Sequence, residues 1–226
     1  MNQYLQIEIQ HIKKSYQRKE VLKDVSFTLQ SGECIGILGG NGSGKSTLLS
    51  ILGGVQAASG GKFLVEGADL LLDGKKRAAT VGYVPQESPL LEELSAKDNL
   101  LLWYEKKQME QELKNGVLAM LGIGDFFKQP VSRLSGGMKK RLTIGCAMAG
   151  NPSVLLLDEP SAALDLIGRE RIANYLKEYK AQGGAVILAT HDVQEFSLCD
   201  RLFILKDGRL KPYKYDGNVH LLVGQL

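Results

Sequence analysis

Apolar and polar residues alternate along residues 4–12 (YLQIEIQHI), the period of a half-exposed strand, and residues 21–29 (VLKDVSFTL) read as a second strand after a break over 13–19. Three shorter runs are apolar throughout: 34–38 (CIGIL), 154–157 (VLLL) and 185–189 (AVILA). Unbroken apolar runs of this length predict strands buried on both faces. Helical spacing appears in 46–52 (STLLSIL) and in 168–180, where Ile172, Tyr175, Leu176 and Tyr179 fall on one face. Strand, helix and strand over 154–189 predict a right-handed crossover in a parallel sheet. Asp207-Gly208, set between two apolar stretches of 201–210, predicts a hairpin. The middle of the chain differs: 93–106, 110–121 and 138–148 read as helices, a helical insertion into an α/β core.

Composition changes this picture little. A chain of 226 residues with 44% hydrophobic and 23% charged residues is ordinary for a globular domain. Glycine stands out, at 26 residues, many of them paired, which points to close backbone approach rather than flexible linkers. A formal charge of +3 is too small to argue for a nucleic-acid partner. The basic triplets Lys75-Lys76-Arg77 and Lys139-Lys140-Arg141 read as solvated faces. Cys34, Cys146 and Cys199 are far apart in sequence and lack CxxC spacing, so buried reduced thiols are expected rather than a zinc site or a disulfide framework. No apolar run approaches the ~18 residues of a membrane span, and residues 1–4 carry no signal-peptide pattern.

The chemistry begins with Gly39-Gly40-Asn41-Gly42-Ser43-Gly44-Lys45-Ser46, which fits G-x-x-x-x-G-K-[ST] between a buried strand and a helix. Glycines there let backbone N–H groups surround phosphate oxygens at a helix N-terminus that already favours anions. Lys45 supplies a point charge to the β- and γ-phosphates, and the Ser46 hydroxyl is placed for Mg²⁺. The strand 154–157 ends in Asp158-Glu159. A carboxylate at that strand end suits Mg²⁺, which falls to Asp158, and Glu159 is suited to act as general base on water. Alone, such a pair is as often a helix cap; beside a phosphate loop the catalytic reading is stronger.

With these residues in place the chain resembles the ABC ATPase family. Leu134-Ser135-Gly136-Gly137-Met138 is similar to the family's signature motif, in which Ser135, Gly136 and Gly137 form a second anion nest that closes on the γ-phosphate held by a partner subunit. The resemblance implies further roles. Tyr16, in a short loop after the first strand, would stack on adenine; Gln86 of Tyr83-Val84-Pro85-Gln86 would meet Mg²⁺ and the attacking water. Thr47 would join residues 39–46 around the nucleotide, the loop 161–165 would cross the dimer interface, and His191 would contact the γ-phosphate. A lone tyrosine, glutamine or histidine is more often structural; His11 and His220 match nothing and stay so. Met138 departs from the glutamine most common at that position and is similar to subunits of exporter systems.

The resemblance implies an α/β P-loop NTPase fold with a mostly parallel core sheet, an antiparallel β subdomain and a helical insertion subdomain. It implies one domain over 1–226, with 1–87 and 151–226 as the α/β core and 88–150 as the helical part. Its expected activity is Mg-dependent hydrolysis of ATP, catalysed by Glu159, His191, Gln86 and Lys45, with Ser46, Gln86 and Asp158 on the metal. Expected partners are a second ATPase subunit, identical or related, and a separate transmembrane permease, which places the chain on the cytoplasmic face of a membrane as an export ATPase. No nucleic acid is expected. The alternative is a soluble ABC-type ATPase such as one for iron–sulfur cluster assembly, also a single domain without spans. A coiled-coil insertion or a second ATPase domain would have pointed to repair or translation relatives, and neither is present.

Overall fold

The apolar runs form the middle of the parallel part of one ten-stranded sheet in the computed structural model, which describes residues 5–17, 19–162 and 164–226. In chain order the strands and helices are β1 (Gln6–Tyr16), β2 (Lys19–Gln30), β3 (Cys34–Leu38), α1 (Lys45–Leu52), β4 (Gly60–Val65), β5 (Ala68–Asp69), α2 (Gly74–Thr80) and β6 (Val81–Val84). Then come α3 (Ala96–Leu101), α4 (Lys106–Asn115), α5 (Val117–Met120), α6 (Gly136–Ala147), β7 (Val154–Asp158), α7 (Leu166–Ala181), β8 (Ala185–Ala189), β9 (Arg201–Lys206), β10 (Arg209–Tyr213) and α8 (Val219–Gln225). The sheet order is β5-β4-β1-β2-β10-β9-β3-β8-β7-β6.

Strands β9, β3, β8, β7 and β6 are parallel, and β5, β4, β1 and β2 are antiparallel, as the family resemblance implied. Along β7, Leu155 and Leu157 join the core under α6 and α7. Val154 and Leu156 join the core on the opposite face, with Leu48, Leu49 and Leu52 of α1. Both faces of the central strands are therefore covered, which is why they read as unbroken apolar runs. The hairpin turn at Asp207 (φ 51°) and Gly208 (φ 74°) is the left-handed pair that joins twisted antiparallel strands.

Three expectations need correction. The break over 13–19 is shorter than expected: β1 runs to Tyr16 and β2 starts at Lys19, so Tyr16 closes the strand instead of lying in a loop beyond it. Register shifts after Ile9, Ile12 and Lys14 spoil the alternation, and His11 has φ 52° at the first of them. Tyr4, where that strand was expected to start, lies outside the described residues.

The helix expected over 93–106 is cut to α3. The Ser95 hydroxyl accepts from the Asp98 N–H (3.1 Å), and the chain turns after Leu101 so that the Tyr104 hydroxyl can donate to the buried Gly145 carbonyl (2.8 Å). The helix expected over 110–121 divides at Gly116, which is extended. There the Glu112 carboxylate accepts from the Val117 N–H (2.8 Å) and fills the space a Cβ at 116 would need.

Candidate active site

Buried β3 delivers the chain into residues 39–47, which wall a cavity of about 780 Å³ and lead directly into α1. No Cβ fits at Gly39: it would lie within 2.4 Å of the Ser43 Oγ and 2.7 Å of the Leu205 carbonyl oxygen. Gly44, at φ 106°, begins α1 without any side-chain cap, so the first N–H groups of the helix are left for a ligand. The Lys45 Nζ donates back to the carbonyls of Gly39 (2.7 Å) and Gly40 (3.3 Å). Burial pulls the Lys45 ammonium down, and the carboxylates of Glu159 and Asp158 pull it back up.

The second wall comes from the ends of three parallel strands. β7 ends at Asp158, which is 1% exposed, and the next residue, Glu159, takes the left-handed φ of 49° while its N–H donates to the Ala189 carbonyl (2.9 Å). That conformation is costly for a side-chain-bearing residue and aims the carboxylate into the cavity. Gln86, just past β6, donates from Nε2 to Glu159 Oε2 (3.2 Å). His191, just past β8, lies with Nδ1 3.0 Å from Glu159 Oε1. Gln86, Glu159 and His191 thus converge on the cavity that holds Lys45 and Ser46.

The donors available to a hard cation fit Mg²⁺. The Asp158 Oδ1 is buried with no hydrogen-bond partner among the described residues, an acceptor held in readiness. Burial pushes the Asp158 carboxyl up, and the neighbouring Ser46 hydroxyl pulls it down. An oxygen-only set of carboxylate, hydroxyl and carboxamide suits Mg²⁺, with its remaining positions left to phosphate and water.

Other expected residues lie elsewhere. Ser135 caps α6, its hydroxyl accepting from the Met138 N–H (3.2 Å), and Ser135, Gly136 and Gly137 are not on the cavity wall. Tyr16 is 43% exposed, with the Lys14 ammonium 4.8 Å from its ring centre, and it too lies off the wall, which Val21 and Leu226 share. Asp165 caps α7 by accepting from the Gly168 N–H (2.8 Å). Ala163, in the same expected interface loop, lies outside the described residues.

The reading of residues 139–141 as a solvated face is wrong at Lys140, which is 4% exposed and donates to the carbonyls of Pro85 and Gln86. Lysine within a basic triplet carries no sequence signal of burial. Glu195, 6% exposed and hydrogen-bonded to Ser161, was likewise missed, for a lone glutamate gives none either. Cys34 and Cys146 are buried as expected and Cys199 is half-buried, but Cys34 and Cys199, far apart in sequence, bring their sulfurs within 3.8 Å.

A family model described as ABC transporter matches residues 22–162. The Nod factor export ATP-binding protein I of Sinorhizobium fredii is 35% identical over 224 residues, 97% of this chain and 64% of that protein. The linearmycin resistance ATP-binding protein LnrL of Bacillus subtilis is 34% identical over 209 residues, 90% of this chain and 67% of its own. The chain thus spans about two thirds of the length of these relatives. Among solved structures, a dimeric ATP-binding cassette in a post-hydrolysis state, bound to ADP and Pi, superposes with a TM-score of 0.80 at 28% identity, covering 94% of this chain and all of that one. A nucleotide-free cassette from an ABC transporter, at 23% identity and a TM-score of 0.84, shares the fold.

Proposed function

Because this chain belongs to the ABC transporter family of ATP-binding proteins, we propose that it hydrolyses Mg-ATP between two subunits and drives an export-type membrane transporter. The observation that carries this reading is the convergence of Gln86 and His191 on the two oxygens of Glu159, at the mouth of the phosphate-loop cavity. Residues 39–47 bind the phosphates through backbone N–H groups, and Lys45 leaves the Gly39 and Gly40 carbonyls to meet the β- and γ-phosphates. Ser46, Gln86 and Asp158 would hold Mg²⁺, which when bound screens the negative charge of the phosphates. Glu159 takes the proton of the attacking water as it adds to the γ-phosphorus, and ADP leaves; Gln86 and His191 keep the carboxylate aimed.

Tyr16 lies off the cavity wall, and we place it on the adenine side. The nest of Ser135, Gly136 and Gly137 lies off its own cavity, so it serves the site of a second copy or a related subunit. The chain acts as one domain, with 1–87 and 151–226 as core and 88–150 as the helical part. No helix among the described residues is long and apolar enough to cross a membrane; in this reading a separate permease spans the membrane and the chain works on its cytoplasmic face. An apolar cavity of about 640 Å³ between α6 and β6, walled by Tyr83, Pro85, Pro89, Leu90 and Trp103, is the surface that receives it. The export direction rests on Met138 and on the names of the two relatives.

The test is Glu159→Gln in the presence of Mg-ATP. The variant is expected to bind ATP, lose about 10²–10⁴-fold in turnover, and persist as an ATP-bound dimer on size exclusion. Normal hydrolysis by the variant removes the base assignment. Recovery from membranes with a polytopic protein supports transport, whereas recovery with a soluble scaffold supports the assembly-ATPase alternative.

A further inference from the structure

Glu195 is a buried carboxylate that the reaction itself does not use. It sits in the 3-10 turn Val193–Leu198, four residues beyond His191, and it is not on the phosphate-loop cavity wall. Its Oε1 accepts from the Ser161 backbone N–H at 3.1 Å and from the Ser161 hydroxyl. Its Oε2 is buried with no hydrogen-bond partner among the described residues. A carboxylate this enclosed is expensive to keep, and a neutral side chain would pack there at less cost.

What Glu195 holds together explains its place. Ser161 lies two residues after Glu159, so the bonded pair ties the turn carrying Glu159 to the segment carrying His191. A second strut runs parallel to it. Arg169 Nη1 donates to Asp192 Oδ2 and to Gln194 Oε1, each at 3.0 Å, while its Nε donates to the Leu164 carbonyl (3.3 Å). The loop 161–165 is thus tied near both ends to residues 192–195. Glu159 needs such a frame, since its left-handed φ of 49° is one an unrestrained glutamate leaves readily.

We propose that Glu195 is a positioning residue for ATP hydrolysis: through Ser161 it clamps the turn bearing Glu159 against the segment bearing His191, so that the two side chains meet at 3.0 Å. The inference rests on Glu159 and His191 acting on the water. It separates the geometry of the chemical step from nucleotide binding, because the clamp touches neither residues 39–47 nor Lys45.

The experiment is steady-state ATPase kinetics of the full chain with Mg-ATP, for Glu195→Met, Glu195→Gln, Ser161→Ala and the double variant Glu195→Met with Ser161→Ala. Glu195→Met keeps the packing and removes both acceptors; it is expected to lower kcat at least about tenfold with the KM for ATP within about threefold of wild type. Glu195→Gln keeps one oxygen able to accept from both Ser161 donors and is expected to stay within about threefold of wild-type kcat. Ser161→Ala is expected to add nothing to the loss caused by Glu195→Met, as for two members of one bonded pair.

Wild-type kcat in Glu195→Met, equal losses in the Gln and Met variants, or strict additivity of the double variant each overturn the clamp. If Glu195→Met does not fold, Glu195→Asp takes its place. That substitution withdraws the carboxylate by one methylene, so kcat should fall at unchanged KM, and wild-type kcat overturns the proposal. A wild-type chain without ATPase activity overturns the parent reading and the clamp together; an inactive Glu159→Gln beside a fully active Glu195→Met overturns the clamp alone.

Discussion

The ammonium of Lys140, on α6, reaches the backbone of Gln86, donating to its carbonyl at 2.8 Å and to that of Pro85 at 2.9 Å. The helix that Ser135 caps and Gly136-Gly137 begin is therefore bonded directly to the segment that presents Gln86 to Glu159. Lys140→Met leaves both carbonyls without their charged donor. Stability is expected to fall by about 1–3 kcal/mol, which lowers the melting midpoint by roughly 2–4 °C for each kcal/mol in a domain of this size. ATP turnover should fall with it while nucleotide affinity holds. Calorimetry and a nucleotide titration of the same sample check both halves.

Lys45 is held by two carbonyls of its own loop, so a phosphate entering the cavity has to compete with them for its ammonium. Lys45→Ala removes a charge-assisted contact of about 1.5–3 kcal/mol, so ATP affinity is expected to drop about 10–100-fold. Equilibrium binding of a fluorescent ATP analogue measures it. Unchanged affinity would contradict the assignment of residues 39–47 to phosphate.

The three cysteines should respond unequally to a thiol reagent. Burial pushes the Cys146 thiol up to about 12, so at pH 8 only about one in 10⁴ is thiolate. Cys34 is also pushed up, by the adjacent Cys199 thiol and by burial. Cys199 is half-buried. One equivalent of label, at Cys199, is expected on the native chain at pH 8, and three after denaturation. Peptide mapping that finds Cys146 labelled without unfolding would refute its burial.

Trp103 is 66% exposed at the edge of the apolar cavity between α6 and β6. A tryptophan left this open is a natural anchor for another protein. Trp103→Glu is expected to leave the ATPase activity of the isolated chain unchanged and to reduce recovery of the proposed polytopic partner from membranes by about tenfold or more, since losing an aromatic anchor buried on binding costs ≥ 2 kcal/mol. Quantitative pull-down with the wild-type chain and with the variant tests it.

Much of the site was legible because its parts are contiguous. Residues 39–46 form loop and helix start within one stretch, and β3, β7 and β8 announce themselves because both of their faces are buried. The helical region was less legible. The cap at Ser95, the inward reach of Tyr104 and the collision at Gly116 each depend on a neighbour that helical spacing does not report.

The sequence by itself determined the chemistry available: a glycine-rich loop of phosphate-binding pattern ending in Lys45 and Ser46 and a strand ending in Asp158 and Glu159, to which the family resemblance added His191 as a candidate partner. Hydrophobic period and glycine placement act over a few residues, so a local reading recovers them. Only the tertiary structure decided that Gln86 and His191 meet on Glu159, that Lys140 is buried against the Gln86 backbone, and that Glu195 clasps Ser161. Those contacts join residues 32 to 73 positions apart. Which charge is buried, and against what, follows from the order in which parallel strands are laid side by side, and no local pattern of residues encodes that order.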